Sequence, residues 1–150
     1  MRWPICVVRF LTLIFCFSTG TILFAQNLCE GGWQTMPAKV PSSKAVLKVL
    51  STDRGDALQW SPNPAPGSGF APNGILEIRT AKGPVDQQDN IAICPSAYEG
   101  SGNEFGQKML LSDLKEEFKL PPGRYYAVKV KVRVGETEHL TSDWVVIKIQ

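Results

Sequence analysis

Residues 120–132 read LPPGRYYAVKVKV, and the reading of this stretch decides the fold. Two prolines and a glycine set a corner. After it Tyr126, Val128, Val130 and Val132 alternate with Ala127, Lys129 and Lys131. A period of two turns one row of side chains to an apolar interior and the other to water. Behind a leucine and a Pro-Gly turn, this is the start of a central strand in a two-sheet antiparallel sandwich.

Working outward, residues 124–134 are expected to pair with 144–149 as a hairpin through a 135–140 loop. Upstream, residues 44–50 and 57–60 read as two strands joined by the turn Asp53-Arg54-Gly55-Asp56. Residues 75–80 form a third strand, ended by Lys82-Gly83-Pro84, and 90–94 a fourth. Pro62, Pro64, Pro66 and Pro72 make 62–73 a loop, because proline cannot sit in a central ladder. Residues 95–106, with Gly100, Gly102 and Gly106, read as irregular. Segments 108–111 and 117–120 are candidate strands on either side of Ser112-Asp113-Leu114. No amphipathic helix of ordinary length and no internal repeat appears. About seven short strands separated by turns predict an all-β, immunoglobulin-like sandwich. Its inward side chains should be Trp60, Leu76, Ile78, Leu120, Tyr126, Val128, Val130, Val145, Ile147 and Ile149.

The N-terminus carries a different signature. Arg2 and Arg9 precede an apolar run that ends at Ala25, which reads as an export signal over residues 1–25. Its apolar run is short for a full span of about twenty residues, and no later segment could cross a membrane. Residues 26–43, rich in Gly, Pro and Ser, are a flank with Trp33 as an anchor, and 44–150 form the domain. Of 16 Lys plus Arg, two leave with the signal, so the exported part balances its 14 Asp plus Glu. That neutrality argues against a nucleic-acid binder. Cys29 and Cys94 remain after the signal, and in an exported domain the simplest reading is one disulfide between them. The expected location is secreted, periplasmic or cell-surface.

The chain from Lys44 onward resembles a fibronectin type III domain. The residues that carry the resemblance are Trp60 in Leu58-Gln59-Trp60-Ser61-Pro62, then Leu120, Pro122, Gly123, Tyr126, Val128 and Val130. The ending Ser142-Asp143-Trp144-Val145-Val146-Ile147 is also similar. The resemblance implies a buried Trp60 and a tyrosine corner in which the Tyr126 hydroxyl bonds backbone near the preceding turn. Leu76, where the family often has an aromatic residue, and the long 83–106 span depart from the pattern. For activity the resemblance implies only a spacer or binding module.

Several groups are candidate sites. Tyr125, Lys129, Lys131, Arg133, Trp144 and Lys148 fall on the outward side of the last hairpin, where aromatics beside cations could stack on a sugar or hold an acidic partner. The alternative is a solvated face on which Lys129 and Lys131 pair with Glu77. Arg54-Gly55-Asp56 matches the integrin-binding tripeptide but reads better as a polar turn. Asp86, Asp89 and Asn90 lack the spacing of a calcium loop. His139 is the single histidine, too few for a histidine-rich zinc site, and no nucleophile is marked as its partner. No cofactor and no catalysis are expected. The expected function is a non-enzymatic module that binds a protein or surface polysaccharide through loops 62–73, 95–106 and 135–140. The alternative is an assembly component of a bacterial-type envelope, docked by its disulfide-pinned flank.

Overall fold

The computed structural model describes residues 29–41, 45–61, 74–99, 108–134 and 137–150. The segment expected to be an export signal (residues 1–25) and the expected 62–73 loop lie outside these residues, as do most of the expected 95–106 loop and the start of the 135–140 loop.

The strands are β1 (Gln34–Pro37), β2 (Val46–Thr52), β3 (Gly55–Ser61), β4 (Gly74–Ala81), β5 (Asn90–Glu99) and β6 (Lys108–Leu110). A short helix, α1 (Leu111–Glu117), leads to β7 (Tyr125–Arg133), β8 (His139–Thr141) and β9 (Val145–Lys148). The larger sheet runs β1-β5-β4-β7-β8, with β9 also on β7, and the smaller runs β2-β3-β6. Every pair of named strands is antiparallel. The protein is therefore an all-β, two-sheet antiparallel sandwich.

The inner row of β7 does what its alternation demands. Tyr126, Val128, Val130 and Val132 are fully buried, packed with Trp60, Leu76, Ile78, Leu114, Leu120, Ile147 and Ile149 between the sheets. Val145 is half-buried against the same cluster. The Tyr126 hydroxyl donates to the Pro121 carbonyl at 2.9 Å, closing the expected corner. Burial pushes its pKa up to about 12, with Tyr98 nearby adding to the effect. Trp60 leaves room for no side chain at Gly74. A Cβ there would lie 2.5 Å from the indole nitrogen and 2.9 Å from Val130 Cγ2.

Four features differ from the expectation. Residues 117–120 are not a strand, since α1 occupies Leu111–Glu117 and Ser112-Asp113-Leu114 lies inside it. The apolar residues Leu111, Leu114 and Phe118 recur at helical spacing and pack on the core. Lys119, at φ 51°, then reverses the chain. The Leu120 N–H returns to the Lys115 carbonyl at 2.9 Å and the Lys119 N–H to Glu116, a left-handed C-terminal cap.

Second, β5 continues through Pro95 to Glu99 instead of stopping at Cys94. Between the pairs Arg79↔Ala97 and Ala81↔Ile93, β4 advances two residues while β5 advances four. Proline is tolerated at such a bulge because its missing N–H is not needed there.

Third, the last strand is split. From Lys131↔Thr141 to Val128↔Val145, β7 moves three residues and its partner four. That extra residue reverses which face each side chain takes, so Val145 points inward and Trp144 outward. Buried Ser142 fills the break: its hydroxyl accepts from the Val130 N–H at 3.0 Å and donates to the Asp143 carbonyl at 2.7 Å.

Fourth, the flank is pinned to the domain by Cys29, as expected, but it also supplies a strand that the sequence pattern did not assign. β1 adds to the edge of β5, and the chain then crosses the outer face. The Ala38 N–H donates to Asp89 O at 2.8 Å, its carbonyl accepts from the Trp144 N–H at 2.9 Å, and the Val40 N–H donates to Asp143 Oδ1 at 2.7 Å. Cys29 and Cys94 are disulfide-bonded, with their Cα atoms 5.4 Å apart.

Candidate functional site

Strand parity brings Glu77 and Arg79 of β4 beside Lys129, Lys131 and Arg133 of β7 on the outer face of the large sheet. The face divides into two zones. One is apolar and covered: Met36, Ala38 and Val40 of the flank pack on Ala81, Ile91, Ile93, Ala127 and Trp144, with Tyr125 and Val146 at the margin. The other is charged.

Glu77 is the hub of the charged zone. Its carboxylate lies 2.8 Å from Arg79 Nε and 2.9 Å from Lys129 Nζ. Burial alone would raise its pKa, but hydrogen bonds from Lys129 and Arg79 outweigh that and hold it below the ordinary carboxylate range. Arg79 also donates through Nη1 to the Pro95 carbonyl at 2.6 Å and to Cys94 O at 3.5 Å, filling the acceptors opened by the β5 bulge. Lys129 lies 4.5 Å from the centroid of the Trp144 ring, a cation–π contact that links the charged zone to the covered one. At the margin Lys148 Nζ lies 5.5 Å from the Tyr125 ring.

The candidate residues thus have different standing. Trp144 faces outward, as expected, but only 5 % of it is exposed. With the flank and Lys129 upon it, its ring offers no open face for stacking on a sugar. Lys129 makes the expected pair with Glu77. Lys131 does not; it sits opposite Ile75 and Thr141 and is exposed. Arg133 stands opposite His139, half-buried. Lys129, Lys131 and Arg133 therefore form a row of cations along β7, each about 7 Å from the next by strand geometry.

The remaining candidates fall into local structure. Arg54-Gly55-Asp56 belongs to the β2–β3 hairpin, whose closing pair is Thr52↔Gly55. Gly55 takes φ 110°, Ser51 Oγ donates to Asp56 at 2.8 Å, and the Arg54 N–H donates to Thr52 Oγ1 at 3.2 Å. Asp86 caps a turn by accepting the N–H groups of Gln88 and Asn90 at 2.9 and 2.8 Å. Asp89 pairs with Lys39 at 2.7 Å. Among the described residues no group of three acidic, histidine or cysteine side chains could hold a metal ion. An open groove of about 410 Å³ lies at one end of the sandwich, between the β2–β3 turn, α1 and the C-terminus, lined by Asp56, Lys115 and Lys148 among others.

Sequence reading missed Arg79 and Gly74. Arg79 stands two residues from Glu77 on an alternating strand, a signal that was available. Gly74 had none, because only the packed indole shows why a side chain is excluded.

Comparison of the chain with protein-family models, with curated proteins and with solved structures gives no match. The fold and its outer face define the class: a two-sheet antiparallel β-sandwich with a disulfide-tied N-terminal strand and a cationic strip. No helix among the described residues is long and apolar enough to cross a membrane.

Proposed function

We propose that this protein is an exported, non-enzymatic module of fibronectin type III type that binds an acidic protein or surface polysaccharide. The observation that carries the reading is the cation row on β7. Lys129 is neutralised by Glu77 and anchored on Trp144, while Lys131 is exposed beyond it. An anion laid along the strand beyond Lys129 would meet Lys131 and Arg133 at strand spacing. Three features support the type III likeness: the sheet order β2-β3-β6 against β5-β4-β7-β8, the Tyr126 corner and the buried Trp60. The disulfide supports an oxidising compartment. The assembly reading had the flank dock a neighbour; here residues 34–40 pair with their own sheet, which favours the binding reading.

The test is retention on an immobilised acidic polysaccharide beside its neutral counterpart, across a salt gradient. Wild type should be held by the acidic matrix alone and released as salt rises. The double variant Lys131→Glu with Arg133→Glu should pass through. Equal retention of wild type and variant, or none for wild type, would defeat the reading. Trp144→Ala is unsuitable as a probe because it would remove packing rather than a contact surface.

A further inference from the structure

We propose that this protein self-associates through the free edge of β2, forming a two-fold dimer whose small sheets join into one continuous antiparallel sheet. β2 is the outer strand of the small sheet, and among the described residues no named strand pairs with its other side. Only its approach is occupied, where Ala45 bridges Ser142.

Natural sheets protect such edges with short strands, proline or charge. β1 has four residues and ends at Pro37, β6 has three and begins with Lys108, and β8 has three. β2 has seven residues, no proline and one charge, Lys48. Two of its valines are left open, Val46 at 57 % and Val49 at 39 %. Val49 belongs to the inner row, opposite buried Leu58, yet is open, and among the described residues no strand continues the sheet beside it.

The hairpin geometry identifies which backbone groups are available. A two-residue turn closes on a mutually hydrogen-bonded pair, here Thr52 and Gly55. Alternation then assigns Lys48 and Leu50 to β3. It leaves the N–H and C=O groups of Leu47, Val49 and Ser51 facing the free edge.

An antiparallel second copy can meet this edge in three nearby registers, but centring on Leu50 engages only Val49 and Ser51 and sets Leu47 against the turn residue Asp53. Centring the pair on Lys48 would set two ammonium groups directly opposite each other, which is destabilising. Centring on Val49 pairs Val49 with Val49, Leu47 with Ser51 and Lys48 with Leu50 of the second copy. The strand is thus self-complementary in one register, and that register commits the edge to another copy of this chain. This surface lies on the small sheet, away from the cation row, so the two proposals can fail separately.

Sedimentation velocity over a wide concentration range reads the outcome. Wild type should shift from monomer to dimer as concentration rises. Val49→Pro removes the free-edge donor and keeps the β2–β3 ladder, because the Val49 N–H has no partner in that ladder and proline suits an edge strand. It should abolish the dimer with a melting midpoint near wild type. Val49→Lys, which places like charges on the two-fold axis, should also be monomeric at low salt and carries the test if the proline variant does not fold. A wild type that stays monomeric throughout, or a folded variant that still dimerises, would overturn the proposal.

Discussion

On its inner face the large sheet carries Leu76, Ile78, Tyr126, Val128 and Val130, at most 1 % exposed; on its outer face it carries Ala81, Ile91, Ile93 and Ala127, at most 4 %. The inner row is closed by a whole second sheet. The outer row is closed by one crossing segment of the flank, held by a disulfide and a few backbone bonds. Equal burial therefore conceals unequal support. The inner residues share one large cluster, while the outer cluster is small, alanine-rich and bordered by Glu77, Lys129 and Lys148.

Mutations should expose that inequality. The largest effect belongs to the inner cluster: Trp60→Ala should cost about 3–5 kcal/mol, read from the denaturant midpoint, with the whole domain losing cooperativity. A loss under about 1 kcal/mol would contradict the central place given to Trp60. Replacing Cys29 and Cys94 together by serine should cost about 2–4 kcal/mol. Amide exchange should quicken first along residues 34–40, leaving β7 protected. Uniform exchange would mean that the two clusters are one.

Trp144→Ala should cost less than Trp60→Ala, about 2–3 kcal/mol, because three members of its small cluster are alanines, which offer the ring little apolar surface. Glu77→Gln addresses the border and should cost about 1 kcal/mol at neutral pH. The Glu77 carboxyl is depressed in the folded state, so its contribution is complete above its ordinary value of 4.5 and is lost as pH falls below that. The variant should therefore show a flatter acid limb in thermal melts, and an unchanged limb would remove Glu77 from its role as hub. Tyr126→Phe, the smallest change, should cost about 1 kcal/mol for one hydrogen bond. With its pKa raised from 10 to about 12, Tyr126 stabilises the fold fully below pH 10 and loses that contribution as pH climbs toward 12. The phenylalanine variant should lack this alkaline component.

How much was legible follows the same division. Trp60, Tyr126 and the valine row were readable because alternation along one strand reports its own inner face. The Lys129–Glu77 pair was readable from strand neighbours. Helix α1 was missed because its seven residues give too few turns for periodicity to stand out. The closed state of Trp144 and the misassigned partner of Lys131 share a cause. A strand pattern states which way a side chain leaves the sheet but not what else arrives there. Segment 38–40 and Trp144 lie about a hundred residues apart in the chain, and no local period connects them.

From the sequence alone came the antiparallel sandwich, its inner row and the cysteine pair, since each depends on neighbours in the chain or on a count; the corner at Tyr126 was implied by the resemblance that Leu120, Pro122 and Gly123 carry. The cover over Trp144, the bulge at Pro95 held by Arg79, and the open edge of β2 were decided only by the tertiary structure. These depend on how distant segments meet, and backbone hydrogen bonding between strands carries almost no side-chain signature to announce it.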